Sequence, residues 1–313
     1  KSSASGARTA RTIASTTSGA QPQSRRASRL PRVNRSARAA AIAATYGSVS
    51  AVTFVTAASY LDIQGIEWSG YMVAAMALME PGIGFDARSL NTKAVVQDDG
   101  SYVISGAKSM VAFGPDARLV LVFADTAGAG TQGFLVAGDT AGVHFEKEDY
   151  MGLRPLPLYA MTLADVVVPA SDKLRDDIDI KQLSNLGKLA TAALAVGTCQ
   201  AVLDYVIPYV NERVAFGEPI SNRQAVAFMV ADMATELEGL RLMVYRAAAQ
   251  AEQGLDCTRI AFLAHRNAIK YGMKIGTDGV QLLGGHGFTR EHPVVMWYRN
   301  LRALATLDGT LLA

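Results

Sequence analysis

Met161-Thr162-Leu163-Ala164-Asp165-Val166-Val167-Val168-Pro169 is the stretch on which the fold turns. Its apolar residues Met161, Leu163, Val166 and Val168 fall mostly at even spacing, as on a strand with one buried face. Beyond Pro169 the period becomes helical, and the Ala-rich run from Leu183 to Val210 predicts one long helix. Upstream of this boundary the signals are β. Ala94-Val95-Val96, Asp98-Asp99-Gly100 and Tyr102-Val103-Ile104 predict a hairpin, because the glycine supplies the positive φ of a tight turn. Leu119 to Phe123 and Phe134 to Val136 are further strand-like runs. Together they predict an antiparallel β domain over residues 70–174. Downstream, Ser221-Asn222-Arg223-Gln224 has capping-box form, with Ser221 at the cap and Gln224 three residues on. It precedes a stripe of Val226, Met229, Val230, Met233, Leu237, Leu240 and Val244, which reads as core. Another helix is predicted from Thr258 to Leu283, stopped at Gly284-Gly285 where glycine takes the αL position. Long helices with short links predict an up-down bundle over residues 175–313, so the fold class is α+β.

Composition narrows the function classes. The chain has 313 residues, half of them hydrophobic and 19% charged, which excludes global disorder and collagen-like structure. Cys199 and Cys257 lie far apart with no CxxC, and His144, His265, His286 and His292 form no HExxH. A disulfide scaffold and a cysteine zinc centre are excluded, a reducing compartment fits, and a metal-centred mechanism is disfavoured.

Charge is unevenly placed. The first acidic residue is Asp62; before it come Lys1 and eight arginines, so residues 1–61 carry +9 and the remainder −7 (21 basic against 28 acidic residues). Residues 1–38 hold too few large apolar side chains for a core and are expected to be a disordered basic leader. An Arg- and Ser-rich, acid-free leader resembles an organellar transit peptide; a plain basic tail is the alternative. Nucleic-acid binding is not expected, since no aromatic residue interleaves with these arginines to stack on bases. Ala39 to Leu61 is uncharged and long enough to span a bilayer. Seven of its residues are Ser, Thr or Gly, so a buried helix is the better reading and no membrane span is expected.

Six segments then carry chemistry. They are Glu80-Pro81-Gly82-Ile83-Gly84-Phe85-Asp86; Asp99-Gly100 through Gly106-Ala107-Lys108; Arg213-Val214-Ala215-Phe216-Gly217 with Pro219-Ile220 and Gln224; Gln281-Leu282-Leu283-Gly284-Gly285-His286-Gly287; Glu291-His292-Pro293 with Arg299; and Asp308-Gly309-Thr310. In this order the set resembles the flavin-dependent acyl-CoA dehydrogenases, over roughly Glu67 to Thr310. The resemblance implies an antiparallel β middle domain, a C-terminal bundle, and FAD bound between them with a neighbouring subunit's help. It implies Arg213, Phe216, Gln224, Gln281, Gly284, Gly285 and Thr310 as cofactor-binding residues, Met79 and Ala112 as positions beside the flavin ring, and Phe85 as a substrate-binding position. Arg213 suits a pyrophosphate, because a guanidinium offers bidentate charged donors. The reaction implied is removal of two hydrogens from the Cα–Cβ bond of an acyl-CoA thioester. A carboxylate takes the α proton and the flavin the β hydride. Asp308 is the matched base. The earlier base position found in other relatives reads Gly187-Lys188 and offers none. An electron-transfer flavoprotein or similar acceptor, and a homo- or hetero-oligomer, dimer or tetramer, are implied as partners. The mitochondrial matrix is the implied location if the leader is a transit peptide, the cytoplasm otherwise.

The departures from the pattern are equally specific. The family's threonine before Glu80 is Met79, and its W-[IV]-[ST]-N-G segment is Met110-Val111-Ala112-Phe113-Gly114. A serine that helps hold the CoA thioester is Phe85. Only residues 39–69 remain to supply an N-terminal helical region, and the chain is expected to be truncated there and after Asp308-Gly309-Thr310. Three readings therefore stand: an FAD-dependent acyl-CoA dehydrogenase, a non-catalytic subunit that completes a partner's FAD site, and an acyl-CoA oxidase.

Overall fold

The computed structural model describes residues 74–82, 86–174 and 179–307. The basic leader expected over 1–38 and the helical remnant over 39–69 lie outside them. So do Phe85, Asp308 and Thr310.

Among the described residues seven strands form one sheet: β1 (Ala74–Ala77), β2 (Lys93–Val96), β3 (Tyr102–Ala112), β4 (Leu119–Thr126), β5 (Gly130–Ala137), β6 (Val143–Glu148) and β7 (Leu158–Val168). Their order is β1-β4-β2-β3-β7-β6, with β5 on the other edge of β4. The Asp99-Gly100 hairpin forms as expected: Gly100 sits at φ +84°, and Gln97 N–H donates to the Ser101 carbonyl at 2.8 Å. The sheet is mixed rather than purely antiparallel. β1 and the start of β2 both run parallel to β4 along one of its edges, Ala74 opposite Leu119 and Lys93 opposite Asp125. Period-2 alternation is the same for either direction of pairing, so the sequence pattern could not separate them. Ile104, Val120, Val122, Phe134, Met161 and Val166 fill the sheet's core.

Four α-helices follow among the described residues: α1 (Ile180–Glu212), α2 (Gln224–Glu252), α3 (Thr258–Leu283) and α4 (Val294–Leu304). Asp179 caps α1, its carboxylate accepting from Gln182 N–H at 3.0 Å. The capping box at Ser221 does not form. Ser221 lies in a short 3₁₀ turn, and the cap of α2 is Arg223, whose side chain makes no capping bond. That side chain is engaged elsewhere, over the Phe216 ring and with Glu218. The α2 stripe packs as core: Met233, Leu237, Leu240 and Val244 are buried, with Val226, Met229 and Val230 flanking them. α3 ends at Gly284 with φ +58° and ψ −130°, a glycine-favouring conformation different from the expected αL. By length and composition α1 could cross a membrane, yet it lies mostly buried as the core helix of the bundle.

Sheet and bundle meet along a seam. Leu153, from the β6–β7 loop, belongs to the bundle's core cluster, and Met110 packs against the same cluster. Leu153 N–H donates to Asn300 Oδ1 at 2.9 Å. At Gly152 an added Cβ would lie 2.1 Å from the Arg299 carbonyl oxygen, so α4 approaches this loop as closely as backbone allows.

Candidate functional site

The predicted site residues fall into two groups. The first lines the sheet side of the seam. Met79 follows β1 half-buried, its carbonyl accepting from Ser109 N–H at 2.9 Å. Next to it the Glu80 carboxylate accepts from Asn91 N–H at 2.6 Å, Thr92 N–H at 2.8 Å and Lys108 Nζ at 2.9 Å. Lys108 is fully buried and also donates to the Leu78 carbonyl. Burial pushes the Glu80 carboxyl upward, but the Thr92 hydrogen bonds and the Lys108 charge outweigh it and bring it down to about 2. Burial pulls the Lys108 ammonium down to about 8 against the opposing pull of Glu80. Both groups are charged at neutral pH. Two motifs read separately in the sequence, Glu80-Pro81-Gly82 and Gly106-Ala107-Lys108, thus meet as one buried ion pair. It ties the segment carrying Met79 to β3.

Ala112, at the end of β3, is buried against Leu156 and Leu158, with Met110, Phe113 and Tyr150 around them. Met110 and Phe113 stand at positive φ, +57° and +64°. The positions expected beside the flavin ring therefore present apolar side chains only. A cleft of about 470 Å³ opens beside them, lined by Glu148, Tyr150, Gly152, Leu153, Arg154 and Leu156 among others. Burial, then the Glu148 carboxylate, push the Tyr150 hydroxyl up to about 12.

The second group gathers at one end of the bundle. Arg213 caps α1, is exposed, and makes no ion pair among the described residues. A two-residue loop, Phe216-Gly217, joins the short strands β8 (Val214–Ala215) and β9 (Glu218–Pro219). Both loop residues have positive φ, +57° and +86°, and Phe216 is 94% exposed with the Arg223 guanidinium 5.6 Å from its ring centre. Gln224 opens α2 and Gln281 lies in the last turn of α3; both are exposed. Tyr209 Oη donates to the Leu283 carbonyl at 3.3 Å and pairs with His286 Nδ1 at 2.9 Å. One turn earlier, Tyr205 Oη pairs with His292 Nδ1 at 2.7 Å, and the two imidazoles stack at 5.2 Å. These contacts hold the loop after α3 against the end of α1. They bring Gly284 and Gly285 to the end of the bundle where Arg213 follows Tyr209 by one turn. Sequence reasoning missed this clasp. The only local signal was a pair of tyrosines four residues apart.

A dinucleotide needs charged donors for its phosphates, amides for its base and sugar, and backbone it can approach. The bundle end fits. It offers the Arg213 guanidinium, the Gln224 and Gln281 amides and an exposed aromatic ring. A Cβ added at Gly217, Gly284 or Gly285 would meet no atom within 4 Å, so the space over those backbones is open. The sheet side fits only as an apolar wall. No hydrogen bond, ion pair or ring contact among the described residues joins the two groups.

Comparison with known proteins gives two consecutive matches. Residues 75–166 match the model of the acyl-CoA dehydrogenase middle domain and 179–311 that of the acyl-CoA dehydrogenase C-terminal domain. Residues 23–86 also match a model of the Na+-dependent bicarbonate transporter superfamily. Within the described part of that stretch, Ala74–Ala77 is a strand paired to β4, as a middle domain requires. The short-chain specific acyl-CoA dehydrogenase of Megasphaera elsdenii is 33% identical over 251 residues, covering 77% of this chain and 65% of that protein. The chain thus spans just under two thirds of that relative's length. The butyryl-CoA dehydrogenase structure from the same organism superposes with a TM-score of 0.72 at 28% identity, covering 88% of this chain and 78% of the other. A glutaryl-CoA dehydrogenase of Mycobacterium smegmatis, solved in complex with FADH2, gives 0.71 at 25% identity, covering 77% and 63%. With the middle-domain match on the sheet and the C-terminal match on the bundle, in that order, the chain belongs to the acyl-CoA dehydrogenase family.

Proposed function

We propose that this protein binds FAD and oxidises the Cα–Cβ bond of an acyl-CoA thioester to the 2-enoyl-CoA. The observation that carries the reading is the bundle end, where an exposed Arg213 stands with Gln281 and the open backbone of Gly284-Gly285. When bound, FAD supplies the acceptor for the β hydride. The chain's own residues do the rest. Arg213 neutralises the pyrophosphate with paired N–H donors. Gln281, Gln224 and the Phe216 ring hold the adenosine end, and Thr310 adds a hydroxyl donor. Asp308 removes the α proton, which is acidic enough for a carboxylate only when the thioester carbonyl is polarised. Phe85 stands where relatives place a substrate-binding serine, and makes that contact apolar. The electrons pass on to an electron-transfer flavoprotein or a similar acceptor.

A homo- or hetero-oligomer belongs to this reading. The face of α2 opposite its core stripe exposes Phe228, Leu242 and Tyr245, an apolar surface suited to burial against another chain.

One observation favours a second reading. Ala112 is 5% exposed and packed on Leu156 and Leu158, so the ring-side wall is apolar and closed around that position. A subunit that lends Arg213 and the Gln281–Gly285 segment to a partner's FAD would show this division.

Arg213→Ala tests the first reading. It should lower FAD affinity by roughly tenfold or more, the worth of a charge-assisted pair, with the melting temperature unchanged because the side chain is exposed. Equal FAD content in both proteins after gel filtration would remove Arg213 from the site.

A further inference from the structure

We propose that Glu148 is a positioning residue: its carboxylate fixes the amide of Met110 and so sets the backbone form of the Met110–Gly114 ribbon. The proposal rests on the reading that this ribbon borders FAD.

The ladder between β3 and β7 breaks within the ribbon's approach. Lys108 pairs with Met161, but the next pair is Val111 with Tyr159, so one extra residue stands on β3. Two β3 amides turn away from β7 at this bulge. Ser109 N–H goes to the Met79 carbonyl at 2.9 Å. Met110 N–H goes to Glu148 Oε2 at 2.8 Å, from the last residue of β6. The bulge therefore reaches in two directions, and each tether ends on a residue outside the ladder. The first binds the Met79 segment. The second is the only tether of the two made by a side chain, so a point substitution can cut it.

Met110 needs that tether. It holds φ +57°, a left-handed conformation that is strained for a residue other than glycine. Its amide is half-buried, and without Glu148 it faces no ladder partner. The simplest relief is to move the bulge by one residue. Because side chains alternate across a strand, such a slip would exchange the faces of Val111, now fully buried in the sheet core, and Ala112. The ring-side wall would be lost with little disturbance to the rest of the sheet. Phe113 N–H, held by the Pro157 carbonyl at 2.9 Å, fixes the far end of the ribbon and leaves the slip to the segment between.

The test compares Glu148→Ala and Glu148→Gln with the parent in the full chain. Amide hydrogen exchange is read over residues 108–114, and FAD affinity by titration. Glutamine keeps an oxygen acceptor of the same reach, so exchange and affinity should stay within about threefold of the parent. Alanine should speed exchange in the ribbon and weaken FAD by about tenfold each, with α1 and α3 protected as before. If Glu148→Ala does not fold, Glu148→Asp, one methylene too short to reach the amide, takes its place with the same expectation. Unchanged ribbon exchange in the loss variant overturns the proposal, as does a glutamine variant that behaves like alanine. If the parent itself binds no FAD, the cofactor reading falls. The exchange comparison still shows whether Glu148 holds the ribbon.

Discussion

Lys108 and Glu80 show how much one buried pair decides. Lys108→Met would leave the Glu80 carboxylate buried without its cation, at a cost of about 3–5 kcal/mol. Adding Glu80→Gln removes the stranded charge and should recover part of that loss, which chemical denaturation of the two variants would show. The pair also predicts an acid response. The folded-state value of Glu80 is depressed from 4.5 to about 2, so its contribution is complete above the ordinary carboxylate range and is lost as pH falls from about 4.5 toward 2. Glu80→Gln should flatten stability against pH in that window; because Glu80 also supports the charge of buried Lys108, the same variant should lower the lysine's folded-state value further below its ordinary range. Phe216 makes a contrasting case. It is almost fully exposed in a loop whose two positive φ values suit Asn-Gly best. Phe216→Asn should leave the melting temperature unchanged or slightly raised, because relief of the backbone offsets loss of the exposed cation–π contact, about 0.5–1 kcal/mol. If the ring serves the cofactor, FAD affinity falls in the same variant. A drop in melting temperature with unchanged affinity would make Phe216 a structural residue. The residue types at Met79 and Ala112 were readable in the sequence as lost polar contacts. Their surroundings were not. Ala112→Thr would place a hydroxyl among Leu156 and Leu158 and is expected to destabilise.

At the level of elements, the switch of period at Pro169 located the change from strand to helix, and the α3 boundaries agree with the predicted Thr258 to Leu283. Both rest on local periodicity, which a single sequence contains. What it did not contain was set by neighbours distant along the chain. The parallel pairing of β1 and β2 with β4 leaves no trace in alternation. The capping box at Ser221 failed because a 3₁₀ turn intervened. The bulge at Met110 depends on a carboxylate 38 residues away. The seam between sheet and bundle belongs to the same class, and Gly152 is its tightest point. Gly152→Ala would force a Cβ into the Arg299 carbonyl, a backbone atom that cannot swing aside. The expected cost is about 1–3 kcal/mol. Faster exchange should appear in α4 and the β6–β7 loop while the centre of α1 keeps its protection. Unaltered exchange in α4 would mean that the seam yields without strain.

Across the whole molecule, the order of sheet and bundle identifies the family. The two groups of site residues explain why the activity needs a direct trial. The bundle end keeps charged donors, amides and open glycine backbone, whereas the sheet side keeps shape and loses its polar side chains. A dehydrogenase retains function under that division if backbone and packing suffice to hold the ring; a helper subunit does not need them to. Asp308 separates the readings chemically, since only a chain that performs the reaction needs a base there. The decisive measurement is a titration of FAD into the purified full chain, followed without oxygen by a series of acyl-CoA thioesters while the visible flavin band is watched. Saturable FAD binding and bleaching of the band by at least one thioester are expected. Asp308→Asn should bind FAD without bleaching, because an amide cannot accept the α proton at neutral pH. A chain that binds no FAD, or one whose bound flavin no thioester reduces, would contradict the dehydrogenase reading.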